Sequence, residues 1–325
     1  MSRRYLAGFV QDGLFNPLVA PTPTYLYNLF SWGQNTNGQL GQGNITNYSS
    51  PKQVGSLTTW LNITAGYAHT LATKTDGTLW SWGYNVFGQL GQGNITNYSS
   101  PKQVGSLTTW LNIAGGYNFT LATKTDGTLW SWGSNNYGQL GQGNITKYSS
   151  PKQVGSLTTW SKITAGGYHT IATKTDGTLW SWGYNVFGQL GLGNIANYSS
   201  PKQVGSLTTW LNISAGFYHT IATKTDGTLW SWGYNIYGQL GLGNTTKYSS
   251  PKQVGSLTTW LNISAGFYHT IATKTDGTLW SWGQNGFGQL GLGNTTNYSS
   301  PKQVGSLTTW SKITAGFIHT IATTI

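Results

Sequence analysis

The sequence predicts an all-β fold: a closed six-bladed β-propeller of four-stranded antiparallel blades. Three observations carry that expectation. A unit of fifty residues is repeated six times between residues 28 and 325 without insertion, Ser-Trp-Gly beginning at Ser31, Ser81, Ser131, Ser181, Ser231 and Ser281. A fixed period of this length belongs to repeat arrays and propellers. Each unit holds four short β-prone segments separated by turn residues, and none has a helical period. The two ends of the array are complementary fragments of one unit, and closing a ring removes the exposed edges that an open array leaves.

The elements follow in order in the copy that starts at Trp60. Residues 61–65 alternate apolar and polar side chains and stop at Gly66, as a first strand, A, would. Residues 69–74 alternate again as strand B. Asp76-Gly77 is a two-residue hairpin signal of the type I′ kind, in which both central residues take positive φ. Strand C, residues 78–82, puts Trp80 and Trp82 on one face and Leu79 and Ser81 on the other. A Gly- and Asn-rich loop runs from Gly83 to Ser100, and residues 102–104 read as strand D. Pro101 at its start suits an outer edge, where no ladder donor is needed. Four such strands make a propeller blade.

At the ends, Leu29, Phe30, Ser31 and Trp32 stand where Leu79, Trp80, Ser81 and Trp82 stand in strand C. The chain stops at Ile325, just after a strand B at 319–324. The N-terminus therefore supplies C and D, and the C-terminus A and B, of the last blade. Residues 28–325 read as a single propeller domain. Residues 1–27 are unlike the repeat, carry Pro17, Pro21 and Pro23, and read as an N-terminal extension able to dock to a larger assembly.

Composition narrows the function. Only 7% of residues are charged while 14% are aromatic, the reverse of a disordered chain. There is no Cys, hence no disulfide and no thiolate metal site. No stretch approaches the ~18 apolar residues of a membrane span, and the polar, Pro-interrupted N-terminus makes a poor secretory signal. Net charge is +11, from Lys52 and Lys74 and their repeats with extras at Lys147, Lys162, Lys247 and Lys312. These lysines serve solubility or attraction to an anionic partner. They form no cluster, which disfavours nucleic acid as a partner.

The string Ala-Gly-x-x-His-Thr-x-Ala-Thr-x-x-Asp-Gly-Thr-Leu-Trp-Ser-Trp-Gly-x-Asn-x-x-Gly-Gln-Leu-Gly resembles the repeat of the regulator of chromosome condensation family, over about 300 of 325 residues. The resemblance implies a β-propeller with A innermost and D outermost. Members usually have seven blades; this chain has material for six. They are functionally diverse: guanine-nucleotide exchange on a nuclear GTPase, β-lactamase inhibition, ultraviolet photoreception in plants. The photoreceptor's Gly-Trp-Arg-His-Thr motif is replaced here by Gly66-Tyr67-Ala68-His69-Thr70 and Gly216-Phe217-Tyr218-His219-Thr220, which speaks against that activity. The near-identical copies, preceded by Arg4-Tyr5-Leu6-Ala7-Gly8-Phe9, also look like structural proteins of marine tailed phages.

Differences between copies gather in two places. The A–B turn carries Tyr67-Ala68, Tyr117-Asn118, Gly167-Tyr168, Phe217-Tyr218, Phe267-Tyr268 and Phe317-Ile318. The start of the C–D loop carries Tyr84 and Phe87, Ser134 and Tyr137, Tyr184 and Phe187, Tyr234 and Tyr237, and Gln284 and Phe287. In an antiparallel blade both connections emerge on the same rim. Aromatic residues that vary on loops of a rigid scaffold describe a recognition surface, for a protein or a glycan. The alternative is drift in solvent-facing turns after duplication.

Catalytic chemistry is thinly supplied. There is no Glu, and apart from Asp12 the acids are Asp76, Asp126, Asp176, Asp226 and Asp276, all in hairpin turns that explain them. His69, His169, His219, His269 and His319 recur at the start of strand B, with Phe119 in the remaining copy. A ring of His can ligate metal, but residues of different blades at one turn position read better as neutral groups bonded to nearby backbone. The expectation is a non-enzymatic recognition module without metal or cofactor, associated with a phage virion or tail. The alternative is a regulatory protein-interaction propeller of the exchange-factor or inhibitor type.

Overall fold

A computed structural model of the chain describes residues 27–325. Of the expected extension, residues 1–26 lie outside the described residues, and so does any docking role for them. Tyr27 is described, and its amide donates to Thr58 O (2.8 Å).

The chain is all-β, in blades of the expected strand order. In the first complete blade, strand A is Trp60–Ala65, B is His69–Lys74, C is Leu79–Gly83 and D is Tyr98–Gln103, hydrogen-bonded in that order. Four more four-stranded sheets follow at intervals of fifty residues, giving complete blades one to five over 60–103, 110–153, 160–203, 210–253 and 260–303. The sixth blade stands as two halves. Phe30–Gly33 pairs with Tyr48–Gln53 as its C and D, and Trp310–Ala315 with Thr320–Thr324 as its A and B.

No ladder joins these halves among the described residues. In the other blades the B–C hairpin ties B to C covalently; here the two strands come from opposite ends of the chain. The difference registers in burial: Trp32 is 50% exposed where Trp82 is 1% exposed.

Two local expectations change. The B–C hairpin is not type I′. Gly77 has φ of 75° and no residue but Gly takes positive φ among those described. Gly77 N donates to Lys74 O (3.0 Å) and Lys74 N to Thr78 O (3.0 Å). This is a type I turn over Thr75-Asp76 followed by a left-handed Gly bulge, a three-residue hairpin loop. Asp76 Oδ1 accepts from Thr78 N (2.9 Å) and Thr78 Oγ1 (2.6 Å), and Thr78 Oγ1 accepts from Trp80 Nε1 (2.9 Å). Strand D starts before Pro101, not after it. A register shift between Ser81 and Gly83 lets the proline sit mid-strand on the unpaired outer edge.

The core lies between blades. Leu79 and Val104 of blade one pack with Trp110, Ala122 and Trp132 of blade two, and the same cluster recurs at the other junctions between complete blades. Hydrogen bonds fix each junction. The Gln89 carbonyl of blade one accepts from Thr120 Oγ1 (2.8 Å) and Trp132 Nε1 (2.9 Å) of blade two. Gly91, at φ 72°, lets the loop backbone lie against Trp132: a Cβ there would sit 2.8 Å from the indole nitrogen.

Candidate functional site

The variable residues rest on a loop whose shape does not depend on them. Asn85, fully buried, donates through Nδ2 to Asn94 O (3.0 Å) and Thr96 O (2.9 Å) and accepts from Leu90 N (2.9 Å). Gln89 Oε1 accepts from Phe87 N (3.0 Å), and Gly93 N reaches Ser149 O of the next blade (2.8 Å). The bonds to Asn94 O, Leu90 N and Phe87 N recur in every copy and hold the long C–D loop open as a platform. Sequence reading missed them, since Asn and Gln in a Gly-rich stretch read only as loop composition.

On this platform the A–B turns bring aromatic rings together about the ring's axis. Tyr67 and Tyr117 stack at 4.3 Å, Phe217 and Phe267 lie 4.1 Å apart, and Phe267 and Phe317 3.8 Å apart. Tyr117 reaches Phe217 at 5.5 Å, because Gly167 leaves the space into which Phe217 leans: a Cβ there would be 2.8 Å from that ring. Tyr67 and Phe317, from the first and last A–B turns, approach to 6.5 Å, so the contacts run full circle.

A second tier extends outward from blades two to five. Tyr168 meets Tyr137 (5.4 Å), Tyr218 meets Phe187 (5.0 Å), and Tyr268 meets Tyr237 (5.1 Å). Tyr184 lies 4.7 Å from Tyr137, and Tyr234 4.7 Å from Phe187. Tyr84 and Phe87 form a separate pair at 6.2 Å, and Phe287 stands apart, 69% exposed. The web is therefore lopsided: Ala68, Asn118 and Ser134 leave blades one and two thin, while blades three to five are dense. Most of these rings are half-buried by one another, which sequence variation alone does not reveal.

Packing keeps six of the phenols protonated. Burial, then the neighbouring Tyr268 and Tyr184, push Tyr218 up to about 12. Burial first, then neighbouring tyrosines, also raises Tyr117, Tyr168, Tyr184, Tyr234 and Tyr268. They face a partner as neutral hydroxyls that donate and accept.

Just beneath the variable turns lies a layer of His–Thr pairs, present at four of the blade junctions. His69 Nε2 lies 3.2 Å from Thr120 Oγ1 of the next blade, and His169, His219 and His269 lie 3.0 Å from Thr220, Thr270 and Thr320. Each threonine already donates its hydroxyl hydrogen to a Gln carbonyl, so the histidine is the donor and carries its proton on Nε2. The partner is thus a neighbouring blade's side chain, not local backbone as the sequence suggested. Burial pushes His69 and His269 down to about 4, and His169 and His219 to about 3. The five aspartates sit in their B–C turns on the opposite rim, each held below the usual carboxylate range chiefly by its Thr hydroxyl. Among the described residues no helix is long and apolar enough to cross a membrane.

Blade order, junctions and rim together define a repeat-built β-propeller with an aromatic loop face. The regulator of chromosome condensation (RCC1) repeat matches residues 28–73, 76–123, 126–173, 176–223, 226–273 and 276–323. The chain belongs to that family. Its fold is similar to that of Prp20p from Saccharomyces cerevisiae, a structure reported with that protein's binding to Gsp1p and histones. Identity is 20% over 92% of this chain and 91% of that one, with a TM-score of 0.68. The yeast protein bound to Kap60 aligns at 19% identity over 100% of this chain and 97% of that one, TM-score 0.68. Human WBSCR16 aligns at 20% identity over 91% and 98% of the two chains, TM-score 0.66. No curated protein sequence matches the chain.

Proposed function

We propose that the protein is a non-enzymatic recognition module that binds a macromolecular surface through the aromatic rim. The observation that carries this reading is the web itself. Several aromatic residues stay well open to solvent, Tyr137 at 37%, Phe317 at 47% and Tyr67 at 58%, on the rim where the aromatic differences between copies gather. Half-exposed aromatic residues on a rigid platform supply contact area at little entropic expense. The ionisable groups favour binding over catalysis: the aspartates brace hairpins and four of the histidines brace blade junctions.

The test replaces Tyr184, Phe187 and Tyr218 together with Ser and compares retention on glycan and protein panels with the parent chain. The variant is expected to keep its melting temperature within a few degrees, since these rings lie outside the inter-blade clusters, and to lose the ligand. Undiminished retention by a folded variant sinks the rim reading.

A virion or tail-associated setting is supported by the near-identity of the copies and by residues 4–9, which look like those of marine phage structural proteins. Mass spectrometry of purified particles tests it: presence among the virion proteins is expected, absence rejects it. The second reading, a regulatory protein-interaction propeller, is favoured by the likeness to the yeast protein, and predicts a single soluble protein partner.

A further inference from the structure

Two copies depart from the rest inside the C–D loop. Asn47, Asn97, Asn197 and Asn297 accept, through Oδ1, the amide hydrogen of Asn35, Asn85, Asn185 and Asn285 at 2.7, 2.7, 2.8 and 2.7 Å. Lys147 and Lys247 occupy that position in blades two and four. An ammonium group accepts no hydrogen bond, so the loops of Asn135 and Asn235 go without this one.

Each lysine crosses instead to the C–D loop of the preceding blade. Lys147 Nζ lies 5.0 Å from the centre of the Phe87 ring. Lys247 Nζ lies 4.9 Å from Phe187 and 5.2 Å from Tyr234. Where a lysine stands, the preceding blade offers a Phe, Phe87 or Phe187; Tyr137 and Tyr237 precede Asn197 and Asn297, and Phe287 precedes Asn47. Both lysines are exposed, and the side-chain carboxylates among the described residues all sit at the B–C turns on the other rim. Neither charge is neutralised on its own face.

We propose that the aromatic rim binds an acidic polysaccharide, with sugar rings laid on the Tyr and Phe faces and carboxylate or sulfate groups at Lys147 and Lys247. This rests on the rim being a recognition face. Two equivalent notches, two blades apart, call for a ligand that presents the same charge again at a fixed spacing, and a charged polysaccharide does so. Its apolar C–H faces also cover the web between the notches. A polyacidic peptide lacks such faces, and two cations are few for a nucleic acid, whose affinity scales with the phosphates neutralised.

The experiment is calorimetric titration of the full chain with oligogalacturonate and dextran sulfate. The controls are methyl-esterified oligogalacturonate, polyglutamate and a single-stranded oligonucleotide. Binding is expected to one of the two acidic glycans and not to the ester. The Lys147→Asn/Lys247→Asn double variant regains the loop bonds, so its stability should hold or rise. Its affinity should fall about tenfold or more. Failure of both acidic glycans to bind, unchanged affinity in the lysine variant, or tighter binding of polyglutamate or the oligonucleotide overturns the proposal. If the lysine variant binds normally while Tyr184→Ser/Tyr218→Ser does not, the rim remains a recognition face and the anionic ligand class falls. If neither variant changes binding, both readings fall.

Discussion

The two rims of the ring are built from the same strands and differ in what their side chains are for. Each of the five B–C turns is Asp-Gly-Thr, and its Asp and Thr side chains are both engaged. Asp76 holds Thr78, Thr78 holds Trp80, and Lys74 Nζ sits 3.5 Å above the Trp80 ring and 5.0 Å from Trp60. On the opposite rim the structural work is done by Asn85, Gln89 and backbone amides, and the side chains at 67, 68, 84 and 87 are left with little to do but touch one another. The B–C turns stay identical because the side chain itself is needed there, and the copies diverge most on the other rim, where mainly the chain's path is needed.

That contrast can be broken most strongly with acid, which attacks the His–Thr layer under the variable rim. The buried histidines titrate at about 3 to 4 in the folded state, against 6.5 as the ordinary value. The unfolded chain therefore takes up protons that the folded chain refuses. Stability should be full above pH 6.5 and fall steadily toward pH 4, by ~5 kcal/mol or more over the four groups. Denaturant melts at pH 7, 5.5 and 4 measure this. A His169→Phe variant, imitating Phe119, should show a shallower fall. A flat profile would mean that the histidines are not neutral donors.

A smaller effect is expected on the constant rim. Gly177 has φ of 78°, and a Cβ there would collide with the Thr208 carbonyl. Gly177→Val should destabilise by about 3 kcal/mol, measured as a drop in the urea midpoint; a change at Gly286, on the variable rim with open space around it, should be near neutral.

The mildest and most diagnostic change is Asn185→Ala. It removes the acceptor of Leu190 N and the donors to Asn194 O and Ala196 O. A loss of about 2 kcal/mol is expected, with the aromatic platform of blade three loosened. Faster amide exchange confined to 184–197 would show it, and unchanged exchange would separate the clamp from the platform.

Much of this was legible in the period. Four strands, their order and the complementary ends follow from where alternation and turn residues fall in fifty residues. Asp-Gly marked the hairpin but not its type, because the pair fits both a type I′ turn and a type I turn with a Gly bulge, and only the bond from Gly77 N to Lys74 O separates them. Pro101 suggested a strand start because the bulge opposite Trp82 leaves no trace in local sequence. The aromatic positions were visible as variation, while their mutual packing joins residues about fifty apart. The Phe87–Lys147 and Phe187–Lys247 matches appear only once blade order is known. His–Thr pairing, 51 residues apart, was hidden for the same reason.

The clasp between blades has a direction. Each Gln carbonyl precedes the Thr and Trp that grip it by 31 and 43 residues, from Gln39 with Thr70 and Trp82 onward to Gln239 with Thr270 and Trp282. A nascent chain leaving the ribosome would present the acceptor first and the donors one blade later, always onto something already formed. Growth of the ring is then a succession of short-range dockings, fast in the way that local contacts are fast. Any pairing of the two half-blades, some 290 residues apart in sequence, is the one step that has to wait for both of them.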